Sequence, residues 1–144
     1  MTQIDFYVLQ PKAPQSRETY ACRLTDKAFK SGKRVFLLVE SYADAQRLNT
    51  QLWTFKGEAF LPHDLYPDTN PSTLSIRIGY LPTQTHPSFD VLINLTSTVP
   101  PFFKAYERVL EIINQDPDTR ETGRQRFRYY RDLNLEIKSH DIDK

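Results

Sequence analysis

The sequence predicts an open, mostly parallel α/β sheet with helices on both sides, and three observations carry that prediction. Residues 4–9 (IDFYVL) and 35–39 (VFLLV) are nearly unbroken apolar runs rich in β-formers, as in strands covered on both faces. The segments after them place apolar residues at helical spacing. The resulting β-α-β-α opening favours parallel strands joined by crossover helices.

Each element has its own local signals. After a loop with Pro11 and Pro14, Ser16 is placed to cap a helix carrying Tyr20, Leu24 and Ala28 at four-residue spacing. Ser31-Gly32 closes it, because glycine takes the left-handed turn at low cost. Lys33 and Arg34 lead into the second strand, and Ser41 caps a helix with Ala45, Leu48 and Leu52 on one side. Residues 54–73 hold Gly57, Pro62, Pro67 and Pro71, which predicts loop with at most a short strand around Phe60. Residues 74–80 (LSIRIGY) alternate apolar and polar, as in an edge or half-exposed strand. Residues 91–95 (VLINL) read as a further central strand. Pro100-Pro101 start a predicted helix with Phe102, Phe103, Tyr106, Val109, Leu110 and Ile113 on a broad apolar face. Asp116-Pro117 opens the last helix, with an acceptor at the cap and proline at the first helical position.

Length and composition bound the class. A chain of 144 residues predicts one domain over 1–144. It has 39% hydrophobic and 26% charged residues, the composition of an ordinary soluble protein. Lys and Arg number 19 against 18 Asp and Glu, so the net charge of +1 argues against a whole surface that grips nucleic acid and leaves room for a local basic patch. The single cysteine, Cys22, excludes an intrachain disulfide and a multi-cysteine zinc site. No apolar run approaches the ~20 residues of a membrane span. MTQIDFYVLQ has no basic segment leading into an apolar stretch, so a cytoplasmic protein is expected.

The sequence lacks the usual catalytic signatures. Glycines 32, 57, 79 and 123 are too far apart for a phosphate-binding G-x-G-x-x-G turn. Gly32-Lys33 follows a helix and enters a strand, the reverse of a phosphate loop. His63, His86 and His140 fall in predicted loop or tail without a helical i, i+4 partner, so neither a metal nor another cofactor is expected. Cys22 reads as a buried small hydrophobe. His63-Asp64 is an acid–base pair on paper, but sequence neighbours seldom face one another productively. No enzymatic activity is expected.

Two clusters point to binding instead. On the last helix, turning ~100° per residue from Arg120, Arg124, Arg128, Arg131 and Phe127 fall within about a third of the circumference. Tyr129 and Leu133 lie on the far side and are expected to be the buried face. Like charges on one stripe repel without a partner. Arginine forks pair carboxylates or phosphates, and the ring offers an apolar wall, so an acidic peptide or a nucleic acid fits. The second cluster, Leu52, Trp53, Phe55, Phe60, Leu61, Pro62, His63 and Leu65, is compatible with either core or interface.

In this order and on this frame, the clusters resemble the chi subunit family of bacterial DNA polymerase III holoenzyme. The likeness is carried by DFYVL (5–9), CRLTDKAFKSGKRV (22–35), Leu52-Trp53 with Phe60, Pro62, His63 and Leu65, DVLINL (90–95), and R-x-R-F-R-x-Y-R (124–131) followed by Leu133-Asn134-Leu135. It implies a three-layer α/β/α domain with nucleotide-binding-like topology but no phosphate loop. It further implies a non-catalytic clamp-loader adaptor that binds the acidic, phenylalanine-ended C-terminal tail of single-stranded DNA-binding protein. The matching tail positions are Ile113, Arg120, Arg124, Phe127 and Arg128. A second surface at Trp53, Phe60, Pro62 and His63 would bind the psi subunit and, in some bacteria, an accessory repair helicase. DNA would be met only indirectly. The family often has tyrosine at Phe127 and lysine at some of these arginines; ring wall and charge survive both changes, but a phenolic hydrogen bond does not.

Overall fold

The computed structural model describes residues 2–13, 16–54, 63–65, 76–80 and 90–143. Among the described residues the strands are β1 (Gln3–Leu9), β2 (Val35–Val39), β3 (His63–Leu65), β4 (Ile76–Tyr80), β5 (Val91–Asn94), β6 (Arg108–Ile113) and β7 (Ile137–Ile142). They form one sheet in the order β3-β4-β2-β5-β6-β1-β7, with each neighbouring pair parallel. The helices are α1 (Arg17–Lys30), α2 (Tyr42–Thr54) and α3 (Pro117–Asp132).

Strand parity divides the core into two layers. Val35, Leu37 and Val39 of β2 pack with Tyr20 and Leu24 of α1 and Ala45, Leu48 and Leu52 of α2. Phe36 and Leu38 face the other way and join Tyr106, Tyr130 and the half-buried Phe127. The β1–α1–β2 and β2–α2–β3 crossovers run toward one sheet edge, whereas β6–α3–β7 runs toward the other. Right-handed connections therefore place α3 on the opposite face from α1 and α2. This is the three-layer α/β/α arrangement expected.

The helix ends follow the sequence signals. Ser16 Oγ accepts from Thr19 N at 3.1 Å, Ser41 Oγ from Asp44 N at 3.1 Å, and Asp116 Oδ2 from Thr119 N at 3.0 Å. Gly32, at φ 81°, ends α1 in a Schellman turn, with Gly32 N on Phe29 O and Lys33 N on Ala28 O, both at 3.0 Å.

Three expectations are corrected. The helix expected from Pro100 is a short 3₁₀ turn (Phe103–Ala105) followed by β6. Val109, Leu110, Ile112 and Ile113 are all buried because β6 lies between β5 and β1 with apolar groups on both faces. Such a run also satisfies a helical spacing, so periodicity alone could not decide it. β4 is neither an edge nor half-exposed: it lies between β3 and β2 with Ile76 through Gly79 buried. At Gly79 a Cβ would come within 2.5 Å of the Phe36 ring, so the non-apolar position leaves room for an aromatic rather than facing water. Third, β7 replaces the tail expected after α3, which places His140 on a strand. Asn134, at φ 60°, makes the turn between them in a second Schellman arrangement, with Asn134 N on Arg131 O at 2.9 Å and Leu135 N on Tyr130 O at 3.3 Å. The 54–73 segment carries a short strand, β3, at His63–Leu65 rather than centred on Phe60, and Phe60 and Pro62 lie outside the described residues.

Candidate functional site

The helix α3 is seated by a polar anchor inside an apolar layer. Glu111 is 0% exposed on β6, and Arg126 is 2% exposed on α3. Arg126 Nε donates to Glu111 Oε1 at 2.9 Å, Tyr130 Oη to Oε2 at 2.7 Å, and Asn94 Nδ2 to Oε2 at 2.9 Å. Arg126 Nη1 also reaches Ser97 O at 3.1 Å. Burial pushes the Glu111 carboxyl up, against the opposing pull of Arg126, Asn94 and Tyr130. Burial and then the Glu111 charge push the Tyr130 phenol upward.

This anchor corrects the expected orientation of the helix. The buried residues are Gly123, Arg126 and Tyr130, whereas Tyr129 and Leu133 are exposed at 51% and 39%. Apolar ranking alone misplaces the face because a guanidinium paired with a buried carboxylate takes the interior position. Two signals pointed to it: Glu111 interrupting an apolar run, and Arg126 one turn before Tyr130.

With this rotation, Arg120 and Arg124 stand at the rim of a cavity of about 230 Å³. Phe6 and Val8 of β1, Ile113 of β6, Phe127 and Gly123 of α3, and Ser139 of β7 complete its lining. A Cβ at Gly123 would lie 2.5 Å from Ile113 Cδ1, so glycine permits this close seating of α3 on β6. Phe127 and Phe6 have ring centroids 5.3 Å apart, which fixes the aromatic wall. Arg124 Nη1 lies 3.7 Å from Glu121 Oε1 with both side chains more than half exposed, a weak pairing. Among the described residues, Arg120 and Arg128 make no ion pair. The site combines an apolar cavity with cationic groups at its mouth.

Four of the five residues expected here, Ile113, Arg120, Arg124 and Phe127, line the one cavity; Arg128 is exposed on α3 and does not. Sequence reasoning missed Phe6, Val8 and Ser139, which reach the cavity only because β1 and β7 pair with Phe6 opposite Ser139. Of the second cluster, Trp53 ends up in α2 and His63 begins β3, while Phe60 and Pro62 lie outside the described residues.

Other chemically suggestive groups are engaged structurally. Cys22 is 1% exposed, and burial pushes its thiol up to about 12, far from a reactive thiolate. His140 Nε2 lies 3.2 Å from Asp5 Oδ1. Among the described residues, no group of three His, Cys, Asp or Glu could hold a metal ion, and no helix is long and apolar enough to cross a membrane. Outside the carboxyl ends of β2 and β5, Ser97 N donates to Glu40 Oε1 at 2.6 Å.

Residues 1–138 match the family model described as DNA polymerase III chi subunit, HolC. The chain belongs to the chi subunit family. It is 35% identical over 142 residues to DNA polymerase III subunit chi of Pseudomonas aeruginosa, covering 99% of this chain and 98% of the relative. The corresponding subunit of Haemophilus influenzae is 28% identical over 126 residues, 88% of each chain. That of Escherichia coli is 26% identical over 114 residues, covering 79% of this chain and 78% of the relative. The match spans both faces of the sheet, so a subunit of DNA polymerase III is the context for the α3 cavity.

Proposed function

We propose that this chi-family protein is a non-catalytic adaptor that docks the acidic C-terminal tail of single-stranded DNA-binding protein on α3 and links it, through the psi subunit, to the polymerase clamp loader. The observation that carries the reading is the cavity of about 230 Å³ with two arginines at its mouth and Ile113, Phe127 and Phe6 within. Its volume and lining suit one aromatic side chain, and the guanidinium groups suit the carboxylates around it. Arg120 and Arg124 pair with the tail, Arg124 taking the terminal carboxylate, while Ile113 and Phe127 hold the terminal ring. Arg128, outside the cavity, meets acidic residues further up the tail. The surface at Trp53, Phe60, Pro62 and His63 is assigned to psi or, alternatively, an accessory helicase.

A short flexible peptide loses conformational freedom on binding, so an affinity near 1 μM, about −8 kcal/mol, is expected. Exposed ion pairs make it salt-sensitive. Several tails presented on one coated strand raise the effective affinity through avidity. Calorimetric titration with an acidic peptide ending in phenylalanine tests the reading. Arg124→Ala and removal of the terminal phenylalanine should each weaken binding at least tenfold, while Phe60→Ala should lose psi in a pull-down and keep the peptide. Unchanged affinity without the terminal phenylalanine would reject the cavity as the docking point.

A further inference from the structure

The sheet face opposite α3 carries a second concave surface that peptide docking does not use. Two adjoining cavities, about 300 and 260 Å³, run beside the C-terminal half of α1 and share Tyr7, Leu24 and Lys27. Lys33 and Arg108 line the first, and Arg23 lines the second. Much of the first comes from the 22–35 motif, which the adaptor reading leaves without a role. Strand register sets Tyr7 beside His140, and their rings stack at 4.8 Å with 18° between planes. The His140 side chain is 41% exposed, so this stack ends in solvent.

The charge around the groove is lopsided. Arg23, Lys27, Lys33 and Arg108 line the two cavities with Asp26, Asp90 and Glu107, and the ion-pair partners Lys30, Arg34 and Asp5 bring the balance to six cations against four carboxylates. Three of those carboxylates are engaged at short range. Asp5 Oδ2 accepts from Arg108 Nη2 at 2.7 Å, Asp26 Oδ2 from Lys30 Nζ at 3.1 Å, and Asp90 Oδ2 from Arg34 N at 2.9 Å. Glu107 is exposed, 3.6 Å from Lys33 Nζ. Lys27 is exposed and makes no ion pair among the described residues.

We infer that this groove binds single-stranded nucleic acid, with phosphates on Lys27, Lys33 and Arg108 and a base on the Tyr7–His140 stack. Cations beside an open aromatic platform are the combination that holds unpaired strands without sequence preference. An acidic peptide would satisfy the cations but leave the stack unused. The site lies on the α1 face and does not rest on the tail-docking reading. It gives the chain a direct contact with template where the family resemblance implies only an indirect one.

Fluorescence anisotropy with a labelled oligothymidylate tests the inference in the intact chain. Binding should be weak and salt-dependent, with Kd between about 1 and 100 μM at physiological salt. Lys27→Glu combined with Lys33→Glu should reduce affinity more than tenfold. Loss of those two phosphate contacts should lower the slope of log affinity against log salt by about 1.4, at ~0.7 per contact. Both lysines are exposed, and circular dichroism checks that the variant folds. His140→Ala should weaken binding several-fold, Glu107→Gln should strengthen it, and Arg124→Ala should leave it unchanged. No binding at low salt overturns the inference, as does loss through Arg124→Ala with the lysine variant intact, which would move the strand to α3. Displacement of the oligonucleotide from the groove by an equimolar acidic peptide lacking aromatics also overturns it.

Discussion

The two faces of the sheet around β1 and β6 hold charge in opposite ways. On the α3 side both members of the anchoring pair are inside: Glu111 is 0% and Arg126 2% exposed. On the α1 side only the acid is inside, since Asp5 is 1% exposed while Arg108 and His140 are 44% and 41% exposed. The first arrangement fixes a helix and frees its remaining arginines for solvent. The second clips edge strand β7 to β1 and β6 while keeping its cations accessible. A fully buried pair gains little over apolar packing but is costly to break, whereas a half-exposed pair is screened and responds to pH and salt.

The largest expected effect breaks the α3 anchor. Arg126→Met or Glu111→Leu alone should cost about 3–5 kcal/mol, because each leaves an uncompensated buried charge. The double variant should recover much of that loss, since two apolar groups leave no lone charge. Urea denaturation of the four species measures the coupling. A single-variant cost below about 1 kcal/mol would mean that water reaches the survivor and that the two faces are alike.

A smaller effect is expected on the other face. Arg108, His140 and Gln3 together outweigh the opposing effect of burial and hold the Asp5 carboxyl below its ordinary value of 3.8. The folded form therefore binds that proton less readily than the unfolded chain. The contribution is fully present above the unfolded value and is lost as pH falls through the lower folded one. Asp5→Asn should cost about 1–2 kcal/mol at neutral pH, discounted for its exposed partners. Its thermal midpoint should also fall less steeply than that of the parent below about pH 4, the unfolded carboxylate range. Parallel acid limbs for the two proteins would remove Asp5 as the clip.

How much of this was legible in the sequence depended on whether the signal was local. Caps and turns were readable: Ser16, Ser41, Gly32 and Asp116-Pro117 act through neighbours within a few residues. The arginine stripe was readable too, because helical spacing fixes which residues share a face. β6 was not, since Val109, Leu110, Ile112 and Ile113 satisfy both a helical and a doubly buried strand pattern, and only pairing with β1 and β5 decides between them. The inward turn of Arg126 depends on Glu111, fifteen positions away in sequence. Phe6, Val8 and Ser139 join the cavity through β1–β7 pairing, and β7 itself, IKSHDI, carries too little apolar character to announce a strand. The 22–35 segment was recognisable as a motif, but its lysines meet Arg108 only through the fold.

The smallest stability effect gives the sharpest separation of the two faces. Gly123→Ala removes a helix-interior glycine, which favours folding by about 0.5–1 kcal/mol. The new Cβ would stand 2.5 Å from Ile113 Cδ1 and 3.3 Å from Cγ1, so the isoleucine tip must swing aside at a comparable cost. These terms nearly cancel, and the unfolding free energy should change by less than about 1 kcal/mol. Ile113 also lines the α3 cavity, however, so its displacement alters the surface offered to a terminal aromatic. Peptide affinity should therefore fall by up to about tenfold, ~1.4 kcal/mol, while oligonucleotide affinity at the α1 groove stays unchanged. A stability loss beyond about 2 kcal/mol would show that Ile113 cannot yield and that α3 is lifted from β6. Unchanged peptide affinity with intact stability would instead place the docking point away from Ile113, breaking the assignment of the α3 face while leaving the α1 face untouched.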